Sequence, residues 1–393
     1  MIDLDNISNQ QTEFIKTENH IPVYQDEFWT AKQRQMSSLH EISYRACFKG
    51  ELPHFFIDKY SQEGDVIYDP FAGRGTTAVQ ASLMGRRFIS NDINPLSAIL
   101  AEPRTNPPSF AAVAKRLEQI PLDLELPPED DQDLLPFYHP ETLQELKALR
   151  YYLQVKRASG TEDILDRWIR MVATNRLTGH SSGFFSYYTM PPNLAVSPER
   201  QKKINLKYSH KGFLYKDVKA LILKKTKSLL KDKPENWPGL GGQFLHSDAA
   251  QTYAIADNSV KLIITSPPFL DQVQYVKDNW LRCWFNHLDA DQIEKRITHL
   301  SSPEKWSQAM GQIFREFYRV LQPGGMGAFE VGEVRKGKVY LEDLVLPELI
   351  KADLVPQALL INSQEFSKTA NIWGVKNNLK GTNTNRIILF QKE

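Results

Sequence analysis

The pattern of apolar and turn-forming residues in 64–100 predicts a strand, a turn, a helix and a second strand. Residues 66–68 form a short apolar run, and residues 76–84 can continue as a helix after two glycines. Residues 87–90 then open a second strand that ends at Asp92. A β-α-β unit of this kind implies a parallel sheet with helices on its faces.

The same alternation returns only after residue 243. The segment VKLIIT, Val260 to Thr265, has the composition of a buried strand, and residues 305–321 have helical periodicity that Pro323 and two glycines end. Three further strands are predicted at residues 326–331, 355–362 and 386–391. The chain therefore alternates strands and helices at both ends, which is typical of an α/β fold.

The middle of the chain differs from both ends. Residues 106–243 are mainly helical in pattern, with proline breaks and no rhythm of strands. We interpret this segment as an inserted, largely α-helical second domain. The predicted division is an N-terminal arm at 1–39, the first part of the sheet domain at 40–105, the insertion at 106–243, and the second part of the sheet domain at 244–393.

Composition narrows the class of protein. The chain has 393 residues, of which 41% are hydrophobic and 24% charged, and this is typical of a globular protein with one large or two ordinary domains. No apolar stretch has the length of a membrane span, and the polar, acidic N-terminus is unlike a signal peptide, so we expect a cytoplasmic protein with no membrane partner. Two cysteines exclude a disulfide framework and a four-cysteine zinc site, and we expect no metal centre.

The net charge of +1 gives no overall basic signal, but charge is segregated along the chain. Lysines are concentrated between Arg200 and Lys233, where only Asp217 and Asp232 oppose them. The run includes Lys202, Lys203, Lys207, Lys211, Lys216, Lys219, Lys224, Lys225, Lys227 and Lys231. Such a run is either a solvated helix face or a surface for nucleic acid, and the run alone does not decide between them.

The segment DPFAGRGTT, Asp69 to Thr77, indicates a cofactor site. Its glycines follow a strand and precede a helix, where the backbone can turn tightly and approach a ligand. Asp69 could hold a cationic amino group, and Asp92, at the end of the next strand, could accept hydrogen bonds from a ribose diol. A methionine-bearing cofactor fits this arrangement better than a dinucleotide. The residues predicted to bind it are Asp69, Pro70, Phe71, Gly73, Gly75, Thr76 and Asp92.

Two alternatives remain for this segment. The first is a generic turn between a strand and a helix, with a surface aspartate after the next strand. The second is a nicotinamide-dependent oxidoreductase, because Arg74 inside the loop would suit a phosphate. A further cofactor-binding candidate is Asp248 in FLHSDA, which could accept from the exocyclic amine of an adenine ring. Its alternative role is that of a helix N-terminal cap.

The segment TSPPF, Thr265 to Phe269, is the candidate catalytic motif because it directly follows a predicted buried strand. Pro267 and Pro268 have no N–H groups, so they end the strand and leave carbonyls free to face a ligand. The Ser266 hydroxyl and the Pro267 carbonyl could accept the two N–H bonds of a base amine, while Phe269 stacks on the extruded base. The alternative is a rigid loop with no catalytic role.

Together these motifs resemble those of the amino-methylating DNA methyltransferases of bacterial restriction-modification systems. DPFAGRGTT is similar to their cofactor motif, NDINP (Asn91 to Pro95) to their ribose-binding motif, and TSPPF to their catalytic motif. The resemblance implies a Rossmann-like class I methyltransferase sheet with helices on both faces, S-adenosyl-L-methionine as cofactor and double-stranded DNA as substrate. Serine at the first catalytic position is typical of the cytosine-N4 enzymes, so Ser266 points to N4 of cytosine rather than N6 of adenine.

Other segments extend the resemblance. Residues 40–53 are similar to the segment before the cofactor motif in these enzymes, which helps to cover the methionine end of the cofactor. RVLQPGG (319–325) resembles the turn before the fifth strand, and TNRIILF (384–390) resembles the closing strand. The order departs from the more familiar cytosine-N4 enzymes, because here the cofactor motif precedes the catalytic motif. A base-amine methyltransferase for RNA and a catalytically silent DNA-binding protein are the competing hypotheses.

The position of the insertion matches that of sequence-recognition domains in another permutation class of the family. The resemblance therefore implies that 106–243 is the target-recognition domain, that Lys202 and Lys203 contact phosphates, and that a separate cognate endonuclease is a possible partner. Within the insertion, residues 175–193 combine polar side chains, glycines and aromatics. Asn175 or Arg176 could read base edges, or the segment could instead be an aromatic packing loop.

Overall fold

The computed structural model describes most of the chain. The described residues are 13–18, 21–26, 28, 36–44, 47–127, 131–190, 195–268, 275–297, 302–334, 339–363 and 384–393.

One large sheet organises the described residues. Its strands and those of a small second sheet are β1 Glu13–Glu18, β2 Ile21–Asp26, β3 Val66–Asp69, β4 Arg87–Asn91, β5 Gly242–Leu245, β6 Val260–Thr265, β7 Leu321–Val331, β8 Glu333–Val334, β9 Val339–Tyr340, β10 Val355–Ser363 and β11 Thr384–Gln391. The large sheet has the order β1-β2-β10-β11-β7-β6-β3-β4-β5, and β8 pairs with β9. From β7 to β5 every neighbouring pair is parallel, whereas β11 is antiparallel to both β7 and β10. The predicted α/β fold class is confirmed.

Helices separate the strands along the chain. They are α1 Glu51–Tyr60, α2 Thr76–Leu83, α3 Leu96–Thr105, α4 Phe110–Gln119, α5 Asp131–Leu134, α6 Pro140–Ala158, α7 Ile164–Arg176, α8 Pro198–Lys207, α9 Val218–Leu229, α10 Tyr275–Phe285, α11 Ala290–Arg296, α12 Pro303–Val320 and α13 Leu341–Lys351. Among these described helices, none is both long enough and apolar enough to cross a membrane.

The two faces of the sheet are buried in separate apolar cores because side chains alternate along each strand. In β6, Leu262 and Ile264 face the core that α1 and α2 cover. Ile263, between them, faces the core that α12 and α13 cover. Helix α12 contributes Trp306, Met310, Phe314 and Phe317 to this second core, and their spacing of three and four residues places them on one helical face.

A third core joins the helical insertion to helices that flank the sheet. Buried residues of the insertion, such as Trp168 of α7, share one apolar cluster with Val79 of α2, Leu100 of α3 and Leu281 of α10. The predicted boundaries at 106 and 243 therefore do not separate two independent cores. The division of the chain into domains stays a prediction, while the helical character of the insertion agrees with the sequence pattern.

The N-terminal segment differs from the predicted arm. Residues 1–39 contain β1 and β2, which form an antiparallel hairpin, and β2 also pairs in parallel with β10. Val23 stands opposite Leu359 in this pairing, so the two strands are more than 330 residues apart in sequence. A local pattern cannot identify such a distant partner, and the six residues of β2 are too few for a strong strand signal.

The turn between β3 and α2 depends on Gly75. Its φ of +75° lies in the left-handed region, and a Cβ added there would lie 2.2 Å from the Ala101 Cβ of α3. Gly75 thus allows α2 and α3 to approach closely immediately below the turn.

We predict that Gly75→Ala lowers the free energy of unfolding by about 3 kcal/mol, because strain at positive φ and overpacking against α3 add together. Gly160→Ala is the matched control, since Gly160 has a φ of +67° with nothing within 4 Å of an added Cβ. It should cost only about 1 kcal/mol. Urea unfolding measures both values, and equal losses would contradict the close contact with α3.

Candidate active site

The carboxyl ends of β3, β4, β5 and β6 lie at one edge of the sheet, because these four strands are parallel neighbours. The segments predicted to bind cofactor and substrate follow these strand ends. Open α/β sheets bind ligands in the crevice at this edge. We refer to it below as the carboxyl edge.

Asn91 connects three of these strand ends, although the sequence analysis did not single it out. Its side chain is fully buried and donates to the Pro70 carbonyl (3.3 Å) and the Ser247 carbonyl (3.0 Å), and it accepts from the Ser247 N–H (2.9 Å). The Asn91 carbonyl accepts from the Ala72 N–H (3.0 Å). The signal in the sequence is the place of Asn91 as the first residue of the segment NDINP, at the end of β4.

Asp92 fixes the glycine turn to the end of β4. Its carboxylate accepts from the Gly73 N–H (2.8 Å) and the Asn94 N–H (2.9 Å), and the residue stays partly exposed. Burial of the carboxyl raises the pKa of Asp92 to about 6, although both hydrogen bonds act in the opposite direction. Each carboxylate oxygen keeps further capacity to accept a hydrogen bond from a ligand.

Asp69 lies beneath the turn and has different partners from those predicted. It is 1% exposed, and it accepts from the Thr265 hydroxyl (2.7 Å), the Thr77 hydroxyl (2.7 Å) and the Phe71 N–H (3.1 Å). Burial raises the pKa of Asp69 to about 6, against the effect of these three donors. This geometry favours an internal structural role over the predicted contact with a cationic amino group.

The remaining predicted cofactor residues lie in and around the turn. Pro70 is buried, Phe71 is half-buried against the core of α12 and α13, and Thr76 is buried at the start of α2. Gly73 has a φ of +53°, and a Cβ there would lie 3.0 Å from the Cys47 Sγ. The absence of a side chain at Gly73 therefore leaves room for Cys47 against the turn, and the contact of Gly73 with a ligand stays a prediction.

Arg74 does not face a phosphate site in this structure. Its guanidinium donates to the carbonyls of Ile42 (3.1 Å) and Phe48 (3.0 Å), and its Nε donates to the Thr76 hydroxyl (3.1 Å). These contacts hold Ile42 and Phe48 against the turn. They remove the argument for a nicotinamide cofactor that rested on Arg74.

Residues 42–44 and 47–48 lie beside the turn and form what we call the wall of the site, while the predicted role of the segment 40–53 in covering the cofactor stays a prediction. The Tyr44 hydroxyl accepts from the Asn94 side-chain amide (3.3 Å), and its ring lies within 4 Å of the position of a Cβ on Gly73. Buried Arg104 of α3 donates to the Leu39 carbonyl (3.0 Å) and to the Arg74 carbonyl. Arg104 thus holds both the wall and the turn.

Asp248 lies beyond the end of β5, at the same edge as Asp92. The neighbouring residue Ser247 is bonded to Asn91, the residue before Asp92. Asp248 is exposed and accepts from the Ala250 N–H (2.9 Å), which closes a turn rather than capping a helix. The helix-cap alternative is wrong, and the exposed carboxylate is compatible with a ligand contact.

The candidate catalytic loop begins where β6 ends. Ser266 is partly exposed, Pro267 is buried and Pro268 is exposed. The indole N–H of Trp306 donates to the Pro268 carbonyl (3.0 Å), which fixes the loop to α12. Within the described residues, the Ser266 hydroxyl and the Pro267 carbonyl have no hydrogen-bond partner, so both stay available as acceptors. Phe269 lies outside the described residues.

Comparisons with known proteins agree with this site. Residues 3–101, which include the glycine turn and Asp92, match a family model described as DNA methylase. M.BamHII of Bacillus amyloliquefaciens, described as an orphan methyltransferase, is 35% identical over 86 residues, which are 21% of this chain and 32% of that protein. The Type II methyltransferase M.MjaII of Methanocaldococcus jannaschii is 41% identical over 59 residues, which are 15% of this chain and 11% of that protein.

The resemblance to amino-methylating DNA methyltransferases is confirmed. The chain spans less than a third of the length of each of these two relatives. A solved structure described as a DNA modification methylase of Thermus thermophilus complexed with S-adenosyl-L-methionine is 20% identical, with a TM-score of 0.24 over 37% of this chain and 53% of that chain. A likeness at this level carries no argument about activity.

The polar residues predicted to contact DNA differ in their surroundings. Asn175 is 3% exposed; its amide donates to the Ser43 carbonyl (2.8 Å) and accepts from the Ser43 N–H (3.2 Å). The guanidinium of Arg176 lies 4.0 Å from the centre of the Phe184 ring, and burial together with nearby Arg282 lowers the pKa of Arg176 to about 10. These contacts favour the packing alternative over base reading by Asn175.

We predict that Asn175→Ala lowers the free energy of unfolding by about 2 kcal/mol, because it leaves the Ser43 N–H without its partner and leaves the Ser43 carbonyl only its hydrogen bond from Arg282. Lys203→Ala, on the exposed face of α8, should change it by less than about 0.5 kcal/mol. Thermal and urea unfolding of both variants test this. If Asn175→Ala were as stable as the wild type, the packing role would be contradicted and base reading by Asn175 would again be the favoured hypothesis.

Proposed function

We propose that the protein transfers a methyl group from S-adenosyl-L-methionine to the exocyclic N4 amine of a cytosine flipped out of duplex DNA. One observation carries the proposal. The available hydroxyl of Ser266 lies one residue beyond Thr265, and Thr265 is bonded to Asp69, the first residue of the glycine turn. The candidate amine acceptors and the candidate cofactor loop therefore share the carboxyl edge.

The residues of this edge fit the cofactor. Asp92 is a partly exposed residue whose carboxylate can accept from ribose hydroxyls, and Asp248 is an exposed residue whose carboxylate can accept from an adenine amine. Gly73 adds no side chain of its own that would separate a ligand from the backbone of the turn. The wall around Tyr44 covers the turn from the other side. When bound, S-adenosyl-L-methionine supplies an electrophilic methyl group.

The chemistry required of the protein is to make an amino nitrogen nucleophilic. The lone pair of a base amine is delocalised into the ring, and acceptors aimed at its two N–H bonds return electron density to nitrogen. Ser266 and the Pro267 carbonyl can accept these hydrogen bonds, and Trp306 holds the loop that carries them. Positioning and electrostatics thus account for the rate in this proposal.

A base in DNA is the proposed target because the matched family model is described as DNA methylase and because the insertion exposes lysines. Lys202 and Lys203 are exposed on α8, where they can contact phosphates without reading sequence. Serine at the first position of the catalytic motif supports cytosine over adenine. A cognate restriction endonuclease and a cytoplasmic location stay predictions.

We expect that incubation with S-adenosyl-L-methionine and unmethylated bacterial DNA, followed by digestion to nucleosides and mass spectrometry, yields N4-methylcytosine. Ser266→Ala should lower turnover about a hundredfold, because it removes one acceptor aimed at the amine. Ser259→Ala is the control, since Ser259 precedes the opposite end of the same strand and its hydroxyl donates to the Ala256 carbonyl, away from the carboxyl edge.

The products separate the alternatives. Detection of N6-methyladenine would agree with the proposed cofactor and site but would contradict the assignment of cytosine as the target. Methylation confined to structured RNA would contradict the DNA substrate. If Ser266→Ala kept wild-type turnover, the proposed role of Ser266 would be wrong.

We also predict that affinity for S-adenosylhomocysteine strengthens as the pH rises through about 6. The pKa of Asp92 is about 6, so its carboxylate is about one quarter ionised at pH 5.5 and almost fully ionised at pH 7.5. Affinity should rise about fourfold over this interval if the ribose requires the ionised form. Calorimetry of Asp92→Asn should show weaker binding without this dependence. A dependence that persists in the variant would point to Asp69, whose pKa is also about 6.

A further inference from the structure

Two threonine hydroxyls meet on one buried carboxylate between the cofactor turn and the catalytic loop. Thr265, at the end of β6, donates to Asp69 Oδ1 at 2.7 Å, and Thr77 of α2 donates to Asp69 Oδ2 at 2.7 Å. All three side chains are at most 1% exposed. Neither Thr265 nor Thr77 has a role in the proposed chemistry.

Strand pairing does not account for the link between the two loops. The registered pairs of β3 with β6 are Ile67 with Leu262 and Tyr68 with Ile263. Asp69 and Thr265 lie beyond the last of these pairs, toward the carboxyl edge. The hydrogen bond between their side chains therefore joins the two strand ends where the backbone ladder no longer does.

The side chain of Thr265 is constrained because its hydroxyl must donate to the buried carboxylate of Asp69. A buried carboxylate is costly without donors, and Asp69 obtains two of its three donors from threonine hydroxyls. The hydroxyl of Thr265 can meet this need only in a rotamer that points it toward β3. The next residue is Ser266, so fixing Thr265 restricts the backbone from which the Ser266 side chain leaves.

We propose that Thr265 is a positioning residue that, through Asp69, holds the Ser266 hydroxyl in register with the cofactor turn. This inference rests on the proposed function, because it assumes that Ser266 accepts a hydrogen bond from the target amine. It assigns Asp69 to the link between the two loops instead of to the cofactor. It also explains why the carboxylate is buried below the turn.

The proposal predicts a separation of binding from turnover. Without the Thr265 hydroxyl, Asp69 keeps two of its three donors, the Thr77 hydroxyl and the Phe71 N–H, so the cofactor turn and α2 retain both of their contacts with Asp69. The hydrogen bond that is lost is the one that holds the start of the catalytic loop to Asp69. A displacement of about 1 Å at a reacting group can reduce turnover by about a hundredfold.

The test compares Thr265→Val, which keeps the shape but removes the hydroxyl, with Thr265→Ser, which restores it. Thr252→Val is the matched control. Thr252 is equally buried and donates to the Glu316 carboxylate at 2.6 Å, but it lies before β6, on the side of the sheet core that α12 covers. Each variant is assayed for the dissociation constant of S-adenosylhomocysteine by calorimetry and for kcat and KM on unmethylated bacterial DNA.

We expect Thr265→Val to lower kcat by about tenfold to a hundredfold, with the cofactor dissociation constant changed less than about threefold. Thr265→Ser should recover most of kcat. Thr252→Val should lose similar thermal stability but keep kcat, which separates positioning from a general loss of stability.

Two results would overturn the inference. The first is wild-type kcat in Thr265→Val, and the second is an equal fall in kcat in Thr252→Val at matched loss of stability. A failure of the proposed function can be distinguished from a failure of this inference, because in the first case the wild-type protein itself would methylate no base in DNA. If Thr265→Val lost cofactor binding together with turnover, Asp69 would serve the cofactor turn rather than the catalytic loop, which would also overturn the inference.

Discussion

The carboxylate of Asp69 is the group on which the rest of the site depends. It is an ionisable side chain placed at the junction of β3 and β6, almost completely removed from water. Such a group is stable in the folded protein only if hydrogen bonds compensate its lost hydration. The compensation comes from the catalytic strand, the cofactor helix and the turn itself, namely Thr265, Thr77 and the Phe71 N–H. Satisfying one carboxylate therefore brings three functional segments together.

Asn91 is a second buried polar side chain whose hydrogen bonds join strand ends, on the other side of β3. A buried amide with two donors and an acceptor must have all of them met, and the partners come from Pro70 and from both backbone groups of Ser247. Asp92 then follows on a strand end that cannot shift, and its carboxylate holds Gly73. The proposed ribose contact thus depends on the position of Asp92, which the buried side chain of Asn91 helps to fix.

The sequence predicts those parts of the molecule that local pattern determines. The strand at 260–265, the helix after the glycine turn and the strand that ends near Asp92 are found as predicted, because apolar runs and glycines act over a few residues. The hairpin in residues 1–39 was missed, since its place in the sheet depends on β10 at the far end of the chain. The candidate site divides in the same way. Asp92 and Ser266 are partly exposed at strand ends, as their motifs predict, whereas Asp69 and Asn175 are buried by partners that no spacing reveals.

The helical insertion also combines features that the local sequence pattern predicts with contacts that it does not predict. Sequence predicts its helices and its lysines but not that its core continues into α2, α3 and α10. Asn175, predicted to read DNA, is bonded to Ser43 beside Tyr44 in the wall of the cofactor site. Recognition of DNA by the insertion and binding of the cofactor would consequently involve one continuous packed structure rather than two domains joined by linkers.

The most direct test of the account is a crystal structure of the protein with S-adenosylhomocysteine. The account predicts the ligand at the carboxyl edge, with its ribose hydroxyls on Asp92, its adenine near Asp248 and its sulfur toward Ser266. Asp69 should stay bonded to Thr265 and Thr77. A ligand bound elsewhere, or an Asp69 carboxylate that leaves the threonines to contact the ligand amino group, would contradict it.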